Sequence, residues 1–330
     1  MIKKLIKIAI KTLAIIVVVA IVGVIGFMLA EPLVYNDFYS RDSQKEFATP
    51  GAGDDFIQQG FCSVDNDTLL ASGYMKGKKP SRIYIIDGTG YDREQTYVQL
   101  KDEKGKYTTN HAGGISVFKD KVYVCNSEGD PSSILVYSLT DILSANEGGD
   151  VVAQQNVPVA CGASFCHVDG AVLYVGEFYM DGKYQTDETH HMTTPEGDEH
   201  HAVVFAYPLD TNGNIASDKP IGAVSIPDKI QGMVITENKV VLSSSYGIAT
   251  SKLYVYNMPQ LSDDKITVEG QQIGISYLDS GCLVDTISAP PMAEEMVYLD
   301  GRLYVMNESA SNKYIFGKLL RAKDVWSIKL

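Results

Sequence analysis

Short apolar runs alternate with turn signals along most of the chain. Residues 296–299 and 303–306 are two such runs divided by Asp300-Gly301, a two-residue hairpin signal that reverses the chain. Four other stretches follow the same plan: 61–64 and 69–72 around Asp65-Asn66-Asp67, 115–118 and 122–125 around Lys119-Asp120, 165–168 and 172–175 around Asp169-Gly170, and 233–236 and 240–243 around Glu237-Asn238. Third strands are expected at 82–86, 134–137, 203–207, 253–256 and 325–328, and fourth strands at 97–100, 151–154 and 223–226. Openings that recur about every 50 to 70 residues match four-stranded propeller blades with insertions. The expected fold is therefore all-β, a five-bladed β-propeller, with six blades as the competing count. The last repeat runs out of chain after three strands, and an open sheet edge must be covered. A strand from within 33–56 is the expected cover, and 33–35 is read as a short strand.

The N-terminus breaks this pattern. Residues 12–30 carry no charge and follow Lys3, Lys4, Lys7 and Lys11, which suits a bilayer span with the lysines kept inside. Met28-Leu29-Ala30 is a poor cleavage site, so an uncleaved anchor is favoured over a signal peptide. This gives an anchor with a short cytoplasmic start at 1–30, a spacer at 31–56 that carries the closing strand, and a propeller at 57–330. The protein is expected at the cell membrane, single-pass, with its C-terminal domain extracellular.

The first 30 residues hold four lysines and no acid, which leaves 24 Lys and Arg against 41 Asp and Glu outside, a net of −17. A nucleic-acid partner is unlikely to tolerate such a surface. The five cysteines, Cys62, Cys125, Cys161, Cys166 and Cys282, are odd in number and contain no C-x-x-C pair. At least one is free or paired between chains, and no structural zinc is read.

In a propeller the loop entering each first strand and the loop leaving each second strand open on one face. The openings aim Gln59, His111, Ser164, Gln231, Glu294 and Glu295 at a common axis, and the second-strand ends add Tyr74, Asn126, Glu177, Tyr246 and Glu308. Neighbouring glycines such as Gly60, Gly113, Gly114 and Gly232 let backbones approach there. A concave mouth with convergent polar groups is a ligand site, although such groups also hydrogen-bond neighbouring blades. Glu177, Glu294 and Glu308 would repel one another unless a cation, a proton or a donor intervened. They are the candidate ligands of calcium or magnesium, with His111 as candidate general base or further ligand. The polar insertion 180–199 and the pairs His190-His191 and His200-His201 read as a lid, with a transition-metal site as the alternative. No G-x-S-x-G elbow, P-loop, H-E-x-x-H or dinucleotide fingerprint occurs, which disfavours the usual nucleophilic hydrolases.

Gln59-Gly60, His111-Ala112-Gly113-Gly114, Gly176-Glu177-Phe178, Ala206-Tyr207-Pro208-Leu209-Asp210, Gln231-Gly232-Met233, Ser245-Tyr246-Gly247, Pro290-Pro291-Met292-Ala293-Glu294 and Glu308-Ser309 resemble marks of secreted or membrane-anchored Gram-positive bacterial propeller proteins. The resemblance spans most of the chain after about residue 57 and implies a fold and a location without an activity. At greater distance the layout looks like the propellers of lactonases and gluconolactonases, which are usually six-bladed. Two functions are expected from this stage: a surface module binding a small polar ligand, a glycan or a partner protein at its mouth, or a divalent-cation-dependent hydrolase of lactonase or phosphoesterase type.

Overall fold

The computed structural model describes residues 2–330, the side chains of residues 2, 3, 5 and 315 excepted. An apolar helix, Ile2–Val34, leads into a ring of five blades. Blade 1 contains Phe56–Ser63, Leu69–Met75, Arg82–Asp87 and Glu94–Lys101; blade 2 contains Ile115–Phe118, Lys121–Asn126, Ser133–Ser138 and Gln155–Pro158. Blade 3 contains Phe165–Asp169, Val172–Gly176, Ala202–Pro208 and Gly222–Ile226, and blade 4 contains Ile230–Ile235, Lys239–Ser244, Ser251–Asn257 and Leu283–Ala289. Blade 5 takes Ala293–Leu299, Arg302–Asn307 and Asp324–Ile328, and Gln44–Ala48 pairs antiparallel with the last of these as its fourth strand. The ring is closed by the N-terminal segment, and the blade count is five.

The alternation of side chains along each strand explains why its residues are apolar in unbroken runs. Successive residues point to opposite faces of a sheet, and each face of a blade packs on a different neighbour. In Lys121–Asn126, Val122 and Val124 enter the core between blades 1 and 2, whereas Tyr123 and Cys125 enter the core between blades 2 and 3. The remaining cores lie between blades 3 and 4, 4 and 5, and 5 and 1. The ring thus has one core at each blade interface. Phe47 of the closing strand joins Phe56, Phe61 and Val325 in the last of them.

The outer edges depart from the sequence expectation. Residues 151–154 were expected as the fourth strand of blade 2, but Gln155–Pro158 takes that place, while Asp150–Val152 pairs in parallel with Glu94–Lys101 of blade 1. Likewise the connection between the third and fourth strands of blade 4 sends Gln271–Tyr277 back to pair in parallel with Gly222–Ile226 of blade 3. Both detours cover an edge that would otherwise present unpaired amides.

Residues 33–35 are not a strand: the helix runs through Val34, and Tyr35 N–H closes on the Glu31 carbonyl at 2.9 Å. A short helix, Asn36–Tyr39, then leads to the closing strand. The stretch Ile6–Val34 is long and apolar enough to cross a membrane, and none of its most apolar window is buried. Length and composition alone do not separate a span from a signal sequence.

Candidate functional site: the propeller mouth

The first strands of blades 1, 4 and 5 each carry a register shift at the mouth end, between Gln58 and Phe61, Ile230 and Gly232, and Ala293 and Met296. A bulge inserts an unpaired residue and re-aims its neighbours. In blade 5 it places Glu294 and Glu295, adjacent in sequence, in different environments.

Glu295 is 1% exposed. Its Oε2 accepts the backbone N–H groups of Phe61 and Ile115 at 2.9 and 3.0 Å, and its Oε1 accepts that of Cys166 at 3.0 Å. First strands have a free edge toward the channel, and one carboxylate here satisfies three such donors from blades 1, 2 and 3. Glycine makes room for it. A Cβ at Gly114 would lie 2.4 Å from Glu295 Oε1, and one at Gly232 would lie 2.7 Å from Glu295 Cα. Burial pushes the Glu295 carboxyl up to about 8, against the lowering effect of the three amides. With both oxygens taken, Glu295 ties blades together rather than presenting a group to a ligand, which changes its expected role at the mouth.

Glu294 is also buried, at 4% exposure, yet among the described residues no hydrogen bond reaches its carboxylate, while its backbone carbonyl accepts Ser243 Oγ–H at 2.6 Å. Burial, then the nearby charges of Glu308 and Glu295, hold its carboxyl well above the ordinary range, and Lys313 partly offsets them. Glu308 accepts the hydroxyl of Tyr314 at 3.2 Å and lies 3.5 Å from both the Tyr74 hydroxyl and Lys313 Nζ. Lys313 Nζ in turn donates to Tyr74 Oη at 2.6 Å and stands 5.3 and 5.0 Å from the ring centres of Tyr74 and Tyr314. Burial raises the Glu308 carboxyl, with Lys313 and Tyr314 opposing it, and raises the Tyr74 and Tyr314 phenols, the latter to about 12. His111 lies against Tyr74, ring centres 4.5 Å apart, and its Nδ1 pairs with Glu128. The mouth therefore gathers aromatic rings and two carboxylates, and its internal ammonium, Lys313, lies beside Glu308.

The structure brings Tyr74, His111, Glu294 and Glu308 together as the sequence suggested, and leaves others apart. The Gln59 amide donates to the neighbouring Gln58 carbonyl, Asn126 donates to Ser133 Oγ, Ser164 Oγ donates weakly to the Gly162 carbonyl, and Gln231 makes no side-chain hydrogen bond among the described residues. Tyr246 receives Lys183 Nζ at 2.5 Å and faces Phe178. Glu177 is engaged wholly within blade 3. Its oxygens accept the N–H groups of Gly162 and Val203, both at 3.2 Å, and lie 3.1 and 3.0 Å from His190 Nδ1.

The expected trio of Glu177, Glu294 and Glu308 is thus not one set of ligands, and no group of three His, Cys, Asp or Glu side chains among the described residues could hold a metal ion. Both Glu177 oxygens are already engaged by two amides and His190. Of the paired histidines, His200 faces Ser225, whereas His191 and His201 meet edge to face with ring centres 5.0 Å apart, His191 against Thr186 and His201 against Asp228. The cysteines are free thiols, and only Cys282 is not buried.

Two cavities accompany the mouth. One of about 450 Å³ lies under the insertion beside Glu177 and His190 and is lined by Gln185, Thr186 and Thr189. The other, about 190 Å³, lies in the central channel among first-strand residues of all five blades, with Glu295 at its wall. Sequence reading placed His190 in a lid rather than against Glu177, and it missed Lys313 and Tyr314. The net positive run from Lys313 to Lys323 was their only signal.

No family model matches the chain and no curated protein matches it. Among solved structures, a glucose dehydrogenase-type oxidoreductase from Thermus thermophilus aligns over 87% of this chain and 99% of its own at 11% identity and a TM-score of 0.43. BamB from Moraxella catarrhalis aligns over 83% and 85% at 9% identity and a TM-score of 0.35. The WD40 domain of Toxoplasma gondii coronin aligns over 81% of this chain at 7% identity and a TM-score of 0.35, and the chain spans 58% of its length.

Proposed function

We propose that the chain is a membrane-anchored, extracytoplasmic binding module whose mouth takes a small polar ligand bearing an ammonium or several hydroxyl donors, free or displayed on a glycan or partner protein. The observation that carries this reading is the Glu294 carboxylate, buried beside Glu308 and without a hydrogen-bond donor among the described residues. A buried carboxylate without a partner is costly and either holds a proton or waits for a donor. Tyr74 and Tyr314 already hold Lys313 Nζ near their rings, a cation placement that aromatic faces favour. The N-terminal lysines before the apolar helix support the location.

The test is thermal unfolding of the full-length protein in detergent with ethanolamine, glucosamine, glucose, or calcium after EDTA. A probe at about 100 times its dissociation constant stabilises the folded state by about 2.7 kcal/mol. Amine or amino-sugar probes are expected to raise the midpoint, and Glu294→Gln to remove the effect. Stabilisation by calcium that Glu308→Gln abolishes would instead favour the cation-dependent hydrolase. No response to any probe would set the mouth aside as a sealed channel end.

A further inference from the structure

The helix and the mouth share one face of the ring. Arg321 N–H donates to Glu31 Oε2 at 2.7 Å and Tyr39 Oη–H donates to Glu31 Oε1 at 2.7 Å, which fixes the end of the helix on the connection 308–323. That connection leaves the second strand of blade 5, and it supplies Glu308, Lys313 and Tyr314 to the mouth. The chain then runs away from the mouth along blades 4 and 5. Asp37 accepts Ser288 N–H at 2.8 Å near the mouth end of its strand, and further on Arg41 meets Asp285 at 2.8 Å and its carbonyl accepts Lys329 N–H at 3.0 Å. No spacer intervenes, because Leu33 and Val34 are helical and exposed immediately before the docked turn.

We infer that the mouth lies against the bilayer from which the helix emerges and receives the primary ammonium headgroup of a phospholipid. This rests on the proposed binding role of the mouth and on the helix being retained as a span. The composition of the face suits it. In a chain of net charge −13, the connection 308–323 carries Lys313, Lys318, Arg321 and Lys323 against the single acid Glu308. Basic residues beside an apolar helix are drawn to lipid phosphate. Ile248, in the corresponding connection of blade 4, is 76% exposed, and apolar side chains of this kind enter the interface. The ammonium of the same headgroup would supply the donors that Glu294 lacks. A primary ammonium has three N–H donors, whereas a quaternary one has none to give.

The experiment uses full-length protein in nanodiscs of phosphatidylcholine with or without phosphatidylethanolamine, in a Cys282→Ala background. A fluorophore is placed at Ile248→Cys on the mouth face, or at Asn212→Cys in the third-to-fourth-strand connection of blade 3 on the far face. A lipid-borne quencher is expected to quench the first label and spare the second. Phosphatidylethanolamine is expected to raise the unfolding midpoint relative to phosphatidylcholine alone, and Glu294→Gln to cancel the rise. Equal quenching at both positions, or stronger quenching at Asn212→Cys, would overturn the orientation. Stabilisation by soluble ethanolamine with no lipid effect would overturn the lipid ligand while leaving the mouth a binding site. Failure of both, with Glu294→Gln inert, would remove the binding role itself.

Discussion

Glu295 Oε1 accepts the backbone N–H of Cys166 at 3.0 Å across 129 residues of chain. With the amides of Phe61 and Ile115 on its other oxygen, it makes the centre of the ring a single hydrogen-bonded unit spanning four blades. Neighbouring Glu294 has no such partners. Two consecutive glutamates thus sit in different environments, one tying blades together and the other without a hydrogen-bond partner on its carboxylate among the described residues.

Glu295→Ala is expected to destabilise the fold by about 3–5 kcal/mol, since it strands several buried donors at once. Glu295→Gln should cost less, because one oxygen acceptor survives. Urea unfolding followed by tryptophan fluorescence measures both, and a loss below about 1 kcal/mol for the alanine variant would mean that water replaces the carboxylate there.

The elevated carboxyls set a direction for pH dependence. Burial raises Glu294 above its ordinary value of 4.5, with Glu308 and Glu295 adding to the effect and Lys313 opposing it. The folded protein therefore keeps a proton that the unfolded chain releases, so stability falls as pH rises above the ordinary carboxylate range. Relative to wild type, Glu294→Gln should gain in unfolding midpoint as pH rises through and above the ordinary carboxylate range, because Gln carries no ionisation cost. An unchanged gap across that range would show Glu294 ionised throughout.

Gly232→Ala is expected to destabilise the ring, since its Cβ would fall 2.7 Å from Glu295 Cα, a backbone atom that cannot swing aside. Overpacking of this kind costs about 1–3 kcal/mol. Gly53→Ala, with nothing within 4 Å, is the control and should leave the midpoint unchanged or slightly raised. Paired melting curves of the two variants decide this.

Ring closure depends on the fit of the N-terminal strand. Phe47 is fully buried between blades 5 and 1, and Phe47→Ala should cost about 3–5 kcal/mol. Amide hydrogen exchange should then rise first in 44–48 and 324–328, the two strands it holds together. Uniform loss of protection across all blades would show closure to be no weaker than the rest of the ring.

The sequence by itself determined the repeated unit. Alternating apolar strands with turn signals such as Asp300-Gly301, whose φ angles of 50° and 76° are those such a hairpin turn needs, are local facts written in neighbouring residues. The five repeat openings, the inner strands of each blade and the need for a closing strand follow from them, as do the glycines at the crowded axis. The tertiary structure alone decided how far-apart segments meet. Asp150–Val152 and Gln271–Tyr277 pair with the preceding blade because an open edge there must be covered, which no local pattern encodes. Glu177 turned to His190 inside blade 3 and left the other carboxylates, because a buried charge takes the nearest compensating group. Glu294 and Glu295 parted company at a one-residue bulge, and a register shift of that size is set by the whole ring closing around it.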